Sequence, residues 1–301
     1  MRKVYNPSTH PLAFDGPTDS RLTRLENHMI ADLTGTNALV TGSASGLGYG
    51  IAEVLAEQGA AVVVADLDGA GAKTAAGDIV KSGGKATAVQ MDVTDADSVH
   101  SGIAAALDAH GSIDTLVNNA GVIGAPGWHE RLAVTLEDWS FTFEVNVRGT
   151  VNVTEALEAH MTERGSGSVV NIASIAGKTG NPDRSSYNAT KAAVLSYTQS
   201  MALRLAPHNI TVNSICPGMI WTPMWDKISA RQFAYGSEVF TELGEAETNR
   251  ELFDRLIEFS TPLGRPQLPQ DIGYAVAFLV SEQAGNITGQ SLNVDGGRVM
   301  S

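Results

Sequence analysis

Short runs of apolar, mostly β-branched residues alternate along this 301-residue chain with longer segments of helical periodicity. Apolar strands separated by helices are typical of parallel strands that are buried on both faces of a sheet. The pattern therefore predicts an α/β fold of Rossmann type, with a doubly wound, mostly parallel seven-stranded sheet and helices on both faces. The predicted strands cover residues 38–40, 61–65, 86–90, 113–117, 168–172, 210–215 and 291–294.

The same pattern predicts one Rossmann-type catalytic domain over residues 31–301, with a long helix near 137–163. Residues 1–30 are rich in Pro, Asn, Asp, Ser and Thr and have no clear period, so we interpret them as a mobile arm. The alternative is an arm that packs on a neighbouring subunit. Ligands of a doubly wound sheet bind beyond the carboxyl ends of the strands, where the strand order reverses, so the site is expected there.

The first strand runs into a turn at 41–48 that contains Gly42, Gly46 and Gly48. Glycines allow the backbone to adopt left-handed angles and to approach a pyrophosphate closely. The helix that begins there presents unpaired N–H groups and a positive dipole end to an anion. The GxxxGxG spacing therefore indicates a dinucleotide site, and a tight turn without a ligand is the alternative.

Asp66 ends the second strand, where a carboxylate can accept hydrogen bonds from the adenosine ribose hydroxyls and repel a 2′-phosphate. No Lys or Arg lies within 43–45 or directly after Asp66, so the cofactor is predicted to be NAD and not NADP. The alternative is an aspartate that only caps a helix. Asp92 and Val93 end the third strand, and the sequence NNAG at 118–121 ends the fourth.

Ser174, Tyr187 and Lys191 form a spaced set that can move a proton. Tyr187 and Lys191 are four residues apart, so they share one face of a helix. The ammonium is then expected to lower the pKa of the phenol from its reference value of ~10 and make it a general acid or base. The Ser174 hydroxyl, from another segment, is expected to hold the substrate oxygen.

In their order and spacing these elements resemble the short-chain dehydrogenase/reductase family, from about residue 33 to the end. The matching elements are TGSASGLG at 41–48, Asp66, Asp92, NNAG at 118–121, Asn146, Ser174, YNATK at 187–191, PGMIWT at 217–222 and VDGG at 294–297.

The resemblance implies a role for each of four catalytic residues. Tyr187 would be the acid/base, Lys191 would lower its pKa and bind the nicotinamide ribose, and Ser174 would orient the substrate. Asn146 would hold a water of a proton relay that passes through Lys191. The implied cofactor contacts are Gly42, Ser45, Gly46, Leu47, Gly48, Asp66, Leu67, Asp92, Val93, Asn119, Ala120, Gly121, Tyr187, Lys191, Pro217, Gly218, Ile220 and Thr222.

The segment at about 219–260 carries seven aromatic residues and is interpreted as an amphipathic lid of one or two helices, with Trp128 as the opposing wall. The alternative is that these aromatics only pack the segment onto the body. Few of its residues are basic, which favours a neutral, partly apolar secondary alcohol or ketone of cyclic, diol or polyol type. The TPMW stretch at 222–225 also resembles that of diol and polyol dehydrogenases.

Two other functions remain open at this point. A 3-oxoacyl-thioester reductase of the same family usually prefers NADPH, and Asp66 speaks against it. A non-catalytic NAD-binding sensor is expected to have lost part of the catalytic set, which this chain keeps. The family also implies a homotetramer, with contacts near 137–163, 186–206 and 291–301.

Bulk composition excludes several other classes of protein. The net charge of −13, without a basic cluster, makes nucleic acid an unexpected partner. The single cysteine, Cys216, indicates a reducing cytoplasmic location and a small buried residue without a nucleophilic role. No apolar stretch has the length of a membrane span, and the seven histidines lack metal-ligand spacing, so neither a membrane nor a metal is expected.

Overall fold

The computed structural model describes residues 30–235 and 246–300, so the predicted arm at 1–30 lies outside the described residues except for Ile30. The strands are β1 (Asn37–Thr41), β2 (Ala61–Asp66), β3 (Lys85–Gln90), β4 (Thr115–Asn118), β5 (Gly167–Ile172), β6 (Ile210–Pro217) and β7 (Ser291–Val294). The α-helices of these ranges are α1 (Gly46–Glu57), α2 (Gly69–Lys81), α3 (Ala96–His110), α4 (Leu136–Phe143), α5 (Gly149–Arg164), α6 (Ser185–Leu205), α7 (Pro223–Tyr235), α8 (Asn249–Ser260) and α9 (Pro269–Val280).

The seven strands form one parallel sheet in the order β3-β2-β1-β4-β5-β6-β7. The chain moves outward from β1 to β3 and then crosses back to β4 on the other side of β1. Leu39 of β1 is therefore paired with Val63 on one side and Leu116 on the other. The predicted fold is confirmed, and the strand order reverses between β1 and β4, where a crevice is expected.

Each strand contributes to two separate cores. Ala38, Val40 and Val64 pack on one face of the sheet with residues of α1, α2 and α9. Leu39 and Val63 point to the other face and pack with residues of α3, α5 and α6. Because both faces are buried, most strand residues that enter these cores are apolar, and buried polar strand residues such as Asn171 and Asn213 are hydrogen-bonded.

The long helix predicted at 137–163 is present as a helical stretch over residues 136–164, with a π-helical turn inside it that the prediction did not include. α4 ends at Phe143, Glu144–Arg148 forms a π-helical turn, and α5 begins at Gly149. A π turn inserts one residue into the helix and rotates the side chains that follow. The π-helical turn contains no Gly or Pro that would mark an irregular helix in the sequence. The apolar periodicity alone therefore does not predict this turn. The other predicted elements begin and end within one or two residues of those observed.

Within the two described ranges, no helix has both the length and the apolar character needed to cross a membrane.

Candidate active site

Three glycines shape the turn between β1 and α1. Gly42 and Gly46 have φ angles of 63° and 58°, which residues with a Cβ rarely adopt. A Cβ at Gly48 would stand 2.2 Å from the carbonyl oxygen of Gly42, so α1 begins directly against the end of β1. A Cβ at Gly46 would meet no atom closer than 3.8 Å. The turn is therefore tightly packed at Gly48, whereas a Cβ at Gly46 would make ordinary van der Waals contacts with Thr222 and Pro223.

The N-terminus of α1 has no side-chain cap. Ser45 precedes the helix in an extended conformation without a capping hydrogen bond, and no acidic residue lies in the first turn. By contrast, Asp68 caps α2 and Asp95 caps α3. The first N–H groups of α1 are thus left for a ligand, and a helix end of this kind binds phosphate.

Asn119 holds the ends of β4 and β1 together beneath this turn. Its side-chain amide donates to the carbonyl oxygens of Thr41 at 2.9 Å and Gly42 at 2.8 Å. The Thr41 hydroxyl oxygen accepts from the backbone N–H groups of Asn119 and Ala120 at 3.0 and 3.1 Å. The polar side chain that directly follows β4 therefore stabilises the glycine turn.

Asp66 is oriented by two backbone groups. Ala44 donates to its Oδ2 at 2.9 Å, and Asp68 donates to its Oδ1 at 3.0 Å. The next residue, Leu67, is 64% exposed. Among the described residues that line the cavity beside Asp66, Lys191 is the only cationic one, and it lies on α6 at the other end. A 2′-phosphate next to Asp66 would find no cation among these residues.

A cavity of about 420 Å³ runs along the carboxyl ends of the strands. All of the predicted cofactor residues line it, from Gly42 to Thr222, and Ser174 lines it as well. The structure therefore brings together segments that follow β1, β2, β3, β4, β5 and β6. Asn146 is the one predicted site residue that does not line the cavity.

Ser174, Tyr187 and Lys191 converge beyond the end of β5. Lys191 is 5% exposed, and its Nζ donates to the carbonyl of Ile172 at 2.8 Å. The same Nζ lies 5.7 Å from the centre of the Tyr187 ring. A Cβ at Gly177 would stand 2.7 Å from the carbonyl carbon of Lys191, so this glycine lets the segment that carries Ser174 pack directly on α6.

Burial dominates the titration of this group of residues. It raises the pKa of Tyr187 above its ordinary value, against the opposing effects of the Ser174 side chain and the charge of Arg184. Burial also lowers the pKa of Lys191 to about 8. Lys191 is not among the groups that shift the pKa of Tyr187 here, so its predicted effect on the phenol stays a prediction. The Lys191 ammonium is directed to the Ile172 carbonyl, and the cation that favours the phenolate is Arg184.

Asn146 lies in the π-helical turn with its side chain fully hydrogen-bonded. Its Oδ1 accepts from the Val122 N–H at 2.7 Å, and its Nδ2 donates to the Val122 carbonyl at 2.8 Å and to Thr190 Oγ1 at 3.0 Å. A Cβ at Gly121 would stand 3.3 Å from this Oδ1 and 3.4 Å from Lys191 Nζ. Asn146 thus joins the loop after β4 to α6 behind the cavity, and its implied role in a water relay stays a prediction.

Four apolar residues outside the predicted set of site residues also line the cavity, two of them within the predicted lid. Phe141 and Val145 come from α4 and the π-helical turn, and Met224 and Trp225 come from α7. The four-residue spacing of Phe141 and Val145 places them on one helical face, which is the only sequence signal for this wall. The remaining additions are Met91, Thr94, Val122, Ile172, Ala173 and Pro223, most of them next to predicted residues.

The segment at 219–260 forms α7 and α8, and residues 236–245 between them, including Phe240, lie outside the described residues. Trp221 and Trp225 each pack edge-on against Phe253, with ring centres 5.2 Å apart. Among the aromatic residues of this segment that the structure describes, only Trp225 lines the cavity. Trp128 is buried in the cluster beneath α7 and is absent from the cavity lining, so the prediction that it forms the opposing wall is wrong.

Residues 30–235 and 246–300 contain no group of three His, Cys, Asp or Glu side chains that could hold a metal ion. Cys216 is buried, and burial raises the pKa of its thiol. This environment suits a packing residue and disfavours the thiolate that a nucleophile requires.

The fold and site are those of a dinucleotide-binding oxidoreductase, and the family models agree. The model of short chain dehydrogenase matches residues 36–232, and the one described as enoyl-(acyl carrier protein) reductase matches residues 238–298. The chain therefore belongs to the short-chain dehydrogenase/reductase family, whose Rossmann domain binds a nicotinamide cofactor.

Relatives of known name extend over most of the chain. A 3-oxoacyl-[acyl-carrier-protein] reductase of Thermotoga maritima is 32% identical, over 89% of this chain and 99% of that protein. A sorbitol dehydrogenase of Cereibacter sphaeroides is 37% identical, also over 89% of this chain and 99% of that protein. The crystal structure of an NAD+-bound xylitol dehydrogenase superposes with a TM-score of 0.80 at 31% identity, over 88% of this chain and 99% of that one.

Replacement of Lys191 by methionine should stabilise the protein at pH 7, because a buried ammonium is removed. The pKa of Lys191 is about 8, whereas a lysine in an unfolded chain titrates near ~10.4. Between these values the unfolded chain binds the extra proton, so the wild type gains stability as the pH rises. We expect an advantage of about 2 kcal/mol for Lys191→Met at pH 7, after the loss of the hydrogen bond to Ile172, that shrinks toward pH 10.

Urea unfolding of both proteins across this pH range measures the difference in free energy of unfolding. Lys73→Met removes an exposed lysine of α2 and serves as the control for the change in net charge. A difference for Lys191→Met that is independent of pH would contradict the lowered pKa.

Proposed function

We propose that this protein is an NAD-dependent dehydrogenase/reductase that moves a hydride between NAD(H) and a secondary alcohol or its ketone. One observation carries the proposal: a single cavity is lined at one end by the uncapped start of α1 and Asp66, and at the other by Ser174, Tyr187 and Lys191. The first end has the chemistry to bind a dinucleotide, and the second end has the chemistry to move a proton.

The residues along the cavity fit an extended dinucleotide. The N–H groups at the start of α1 would hold the pyrophosphate, and Asp66 would accept hydrogen bonds from the adenosine ribose. Lys191 would bind the nicotinamide ribose, and Ile220 and Thr222 would contact the carboxamide. When bound, NAD supplies the hydride acceptor. The start of α1, which has no side-chain cap, supports this fit.

The preference for NAD rests on the surroundings of Asp66. Its carboxylate is held by two backbone N–H groups, beside an exposed leucine. An NADP 2′-phosphate would meet this negative charge without a compensating cation among the described cavity residues, and the repulsion would weaken its binding.

Tyr187 is the proposed general acid and base. During oxidation its phenolate takes the hydroxyl proton of the substrate as the hydride leaves the carbon, and during reduction the phenol returns a proton to the forming alkoxide. Ser174 would donate a hydrogen bond to the substrate oxygen and favour the negative charge that develops there. These roles are supported by the hydrogen bond between the Ser174 and Tyr187 side chains, which lowers the pKa of the phenol.

We further propose that residues 31–301 act as one catalytic domain, with 219–260 as a lid over the substrate end. Met224 and Trp225 of α7 line the cavity opposite Tyr187, and α7 is tied to the loop after β4 through Arg231, which donates to the carbonyl of Arg131 at 2.9 Å. An apolar cover of this kind excludes water from the reacting atoms.

The names of the relatives and the position of Asp66 indicate which class of secondary alcohol is the substrate. Sorbitol and xylitol dehydrogenases among the relatives favour a polyhydroxylated substrate. A 3-oxoacyl-thioester reductase is the second candidate, because one relative bears that name. The cofactor separates the two, since the second candidate usually requires NADPH.

We propose a homotetramer in a reducing cytoplasmic compartment. Large apolar side chains are exposed on the elements expected at the subunit contacts, namely Leu136 and Phe143 of α4, Leu203 of α6 and Met300 at the C-terminus. Exposed apolar side chains on a shared surface favour association. A monomer observed by light scattering at working concentration would contradict the tetramer.

Replacement of Tyr187 by phenylalanine should abolish turnover and leave NAD binding intact. The change removes only the hydroxyl that accepts and donates the proton, so a loss of at least ~100-fold in kcat is expected. The assay mixes protein, NAD or NADP and a panel of polyols, cyclic alcohols, hydroxy acids and 3-hydroxyacyl thioesters, and follows absorbance of the reduced cofactor. Wild-type silence across the panel with NAD still bound would favour a sensor, and an active Tyr187→Phe would remove Tyr187 from the mechanism.

Replacement of Asp66 by alanine should shift cofactor preference toward NADP. The change removes the charge that repels a 2′-phosphate and also the acceptor for the ribose hydroxyls, so kcat/KM for NAD should fall while that for NADP rises. We expect the ratio of the two to change by ~10-fold or more. An unchanged ratio would show that Asp66 does not select the cofactor.

A further inference from the structure

Lys191 lines the substrate end of the cavity, and three arginines that influence one another, Arg184, Arg231 and Arg298, lie outside its lining. Three of these four cations already have hydrogen-bond partners. Arg231 donates to two backbone carbonyls of the loop after β4. Lys191 donates to the Ile172 carbonyl, and Arg298 donates to two side chains near α8. These three groups are therefore held by the protein itself.

Arg184 is the fourth cation, and its guanidinium has no such partner. Its Nε is buried without a hydrogen bond. None of the ion pairs within residues 30–235 and 246–300 includes Arg184, and the adjacent Asp183 attracts it without forming one. A guanidinium carries five donors, and leaving a buried one, here Nε, without a partner is unfavourable.

The contacts of Arg184 place its guanidinium next to residues of the substrate end of the cavity, although Arg184 itself is not among the residues that line it. Arg184 directly precedes α6, three residues before Tyr187. Its Cζ lies 5.9 Å from the centre of the Trp225 ring, and Trp225 and Tyr187 belong to one packed cluster and both line the cavity. The charge of Arg184 also lowers the pKa of the Tyr187 hydroxyl, as expected for two groups that share a poorly solvated region.

The surroundings of Arg184 favour an anion. Burial lowers the pKa of Arg184 and of Arg298, and the positive charge of Arg231 adds to the effect on Arg184. Arginines that approach one another without a matching number of carboxylates create a positive region, and a planar guanidinium binds a carboxylate through two parallel hydrogen bonds. A substrate carboxylate would satisfy the free donors and offset the repulsion among the cations.

We propose that Arg184 binds a carboxylate of the substrate, so that the enzyme acts on hydroxy acids and the corresponding oxo acids. The inference rests on the proposed function and specifies its substrate class. It includes polyhydroxy acids, which combine the carboxylate with the polyol character of the named relatives. It departs from the neutral substrate expected from the few basic residues at 219–260, because the unpaired cation comes from the start of α6, outside that segment.

The test compares matched acid and neutral substrates in wild type and Arg184→Met. The pairs are 3-hydroxybutanoate with its methyl ester, and gluconate with sorbitol, each with NAD. We expect the wild type to prefer the acid of a pair, and Arg184→Met to lower kcat/KM for that acid by ~10- to 100-fold, mainly through KM. Turnover of the neutral partner should fall by less than that of the acid, because a neutral substrate loses only the effect of the Arg184 charge on Tyr187. Arg184→Lys should fall between wild type and Arg184→Met.

Arg250→Met is the matched control. Arg250 also stacks on a tryptophan of the same segment, with its Cζ 5.5 Å from the Trp221 ring, but its Nε pairs with Asp254. We expect this variant to leave both substrate classes unchanged. Wild-type preference for the neutral partner would overturn the proposal. The proposal would also be overturned if Arg184→Met lowered kcat/KM equally for the acid and the neutral substrate and shifted the pH profile of kcat. Arg184 would then act only on Tyr187.

A second measurement separates this proposal from the proposed function. The thermal unfolding midpoint of wild type with NADH is measured with added 3-oxobutanoate and with its methyl ester. A rise caused by the acid in wild type and lost in Arg184→Met supports the carboxylate site even if no substrate is turned over. No difference between acid and ester would overturn it, whether or not the enzyme is active.

Discussion

The burial of both faces of the parallel sheet is the constraint on which the rest of this structure depends. Neighbouring strand residues such as Leu39 and Val40 pack into cores on opposite faces of the sheet. A ligand can therefore reach the sheet only at the ends of its strands. All seven strands run in one direction, which collects their carboxyl ends at one edge. Side chains as far apart in sequence as Gly42 and Thr222 thereby line one cavity.

Within that cavity, the two ends are built by different physical means. At the proposed nucleotide end the backbone would bind the cofactor, through the uncapped start of α1 and a turn in which Gly48 packs against the carbonyl of Gly42. At the substrate end the side chains act in a buried setting. Burial raises the pKa of Tyr187 and lowers that of Lys191, so cations and hydrogen bonds must oppose it before a proton can move.

Much of the fold and of the nucleotide end could be predicted because their signals are local. Apolar strand runs reveal a parallel sheet, and an acidic residue at a strand end, such as Asp66, is visible without coordinates. The π-helical turn at Asn146 and the cavity wall of Phe141 and Trp225 could not be predicted in the same way. Both features depend on how helices from distant parts of the chain pack together. The sequence of a single segment does not predict that packing.

The sequence by itself determined the α/β class, the dinucleotide site and the spacing of Ser174, Tyr187 and Lys191. Tertiary structure alone decided which groups those side chains meet. The spacing of Tyr187 and Lys191 placed the ammonium near the ring, but the Ile172 carbonyl accepts its hydrogen bond. Arg184, which carries no motif, became the cation that acts on the phenol. The reason is that helical spacing sets distances within one segment, whereas burial and electrostatics depend on every segment that packs around it.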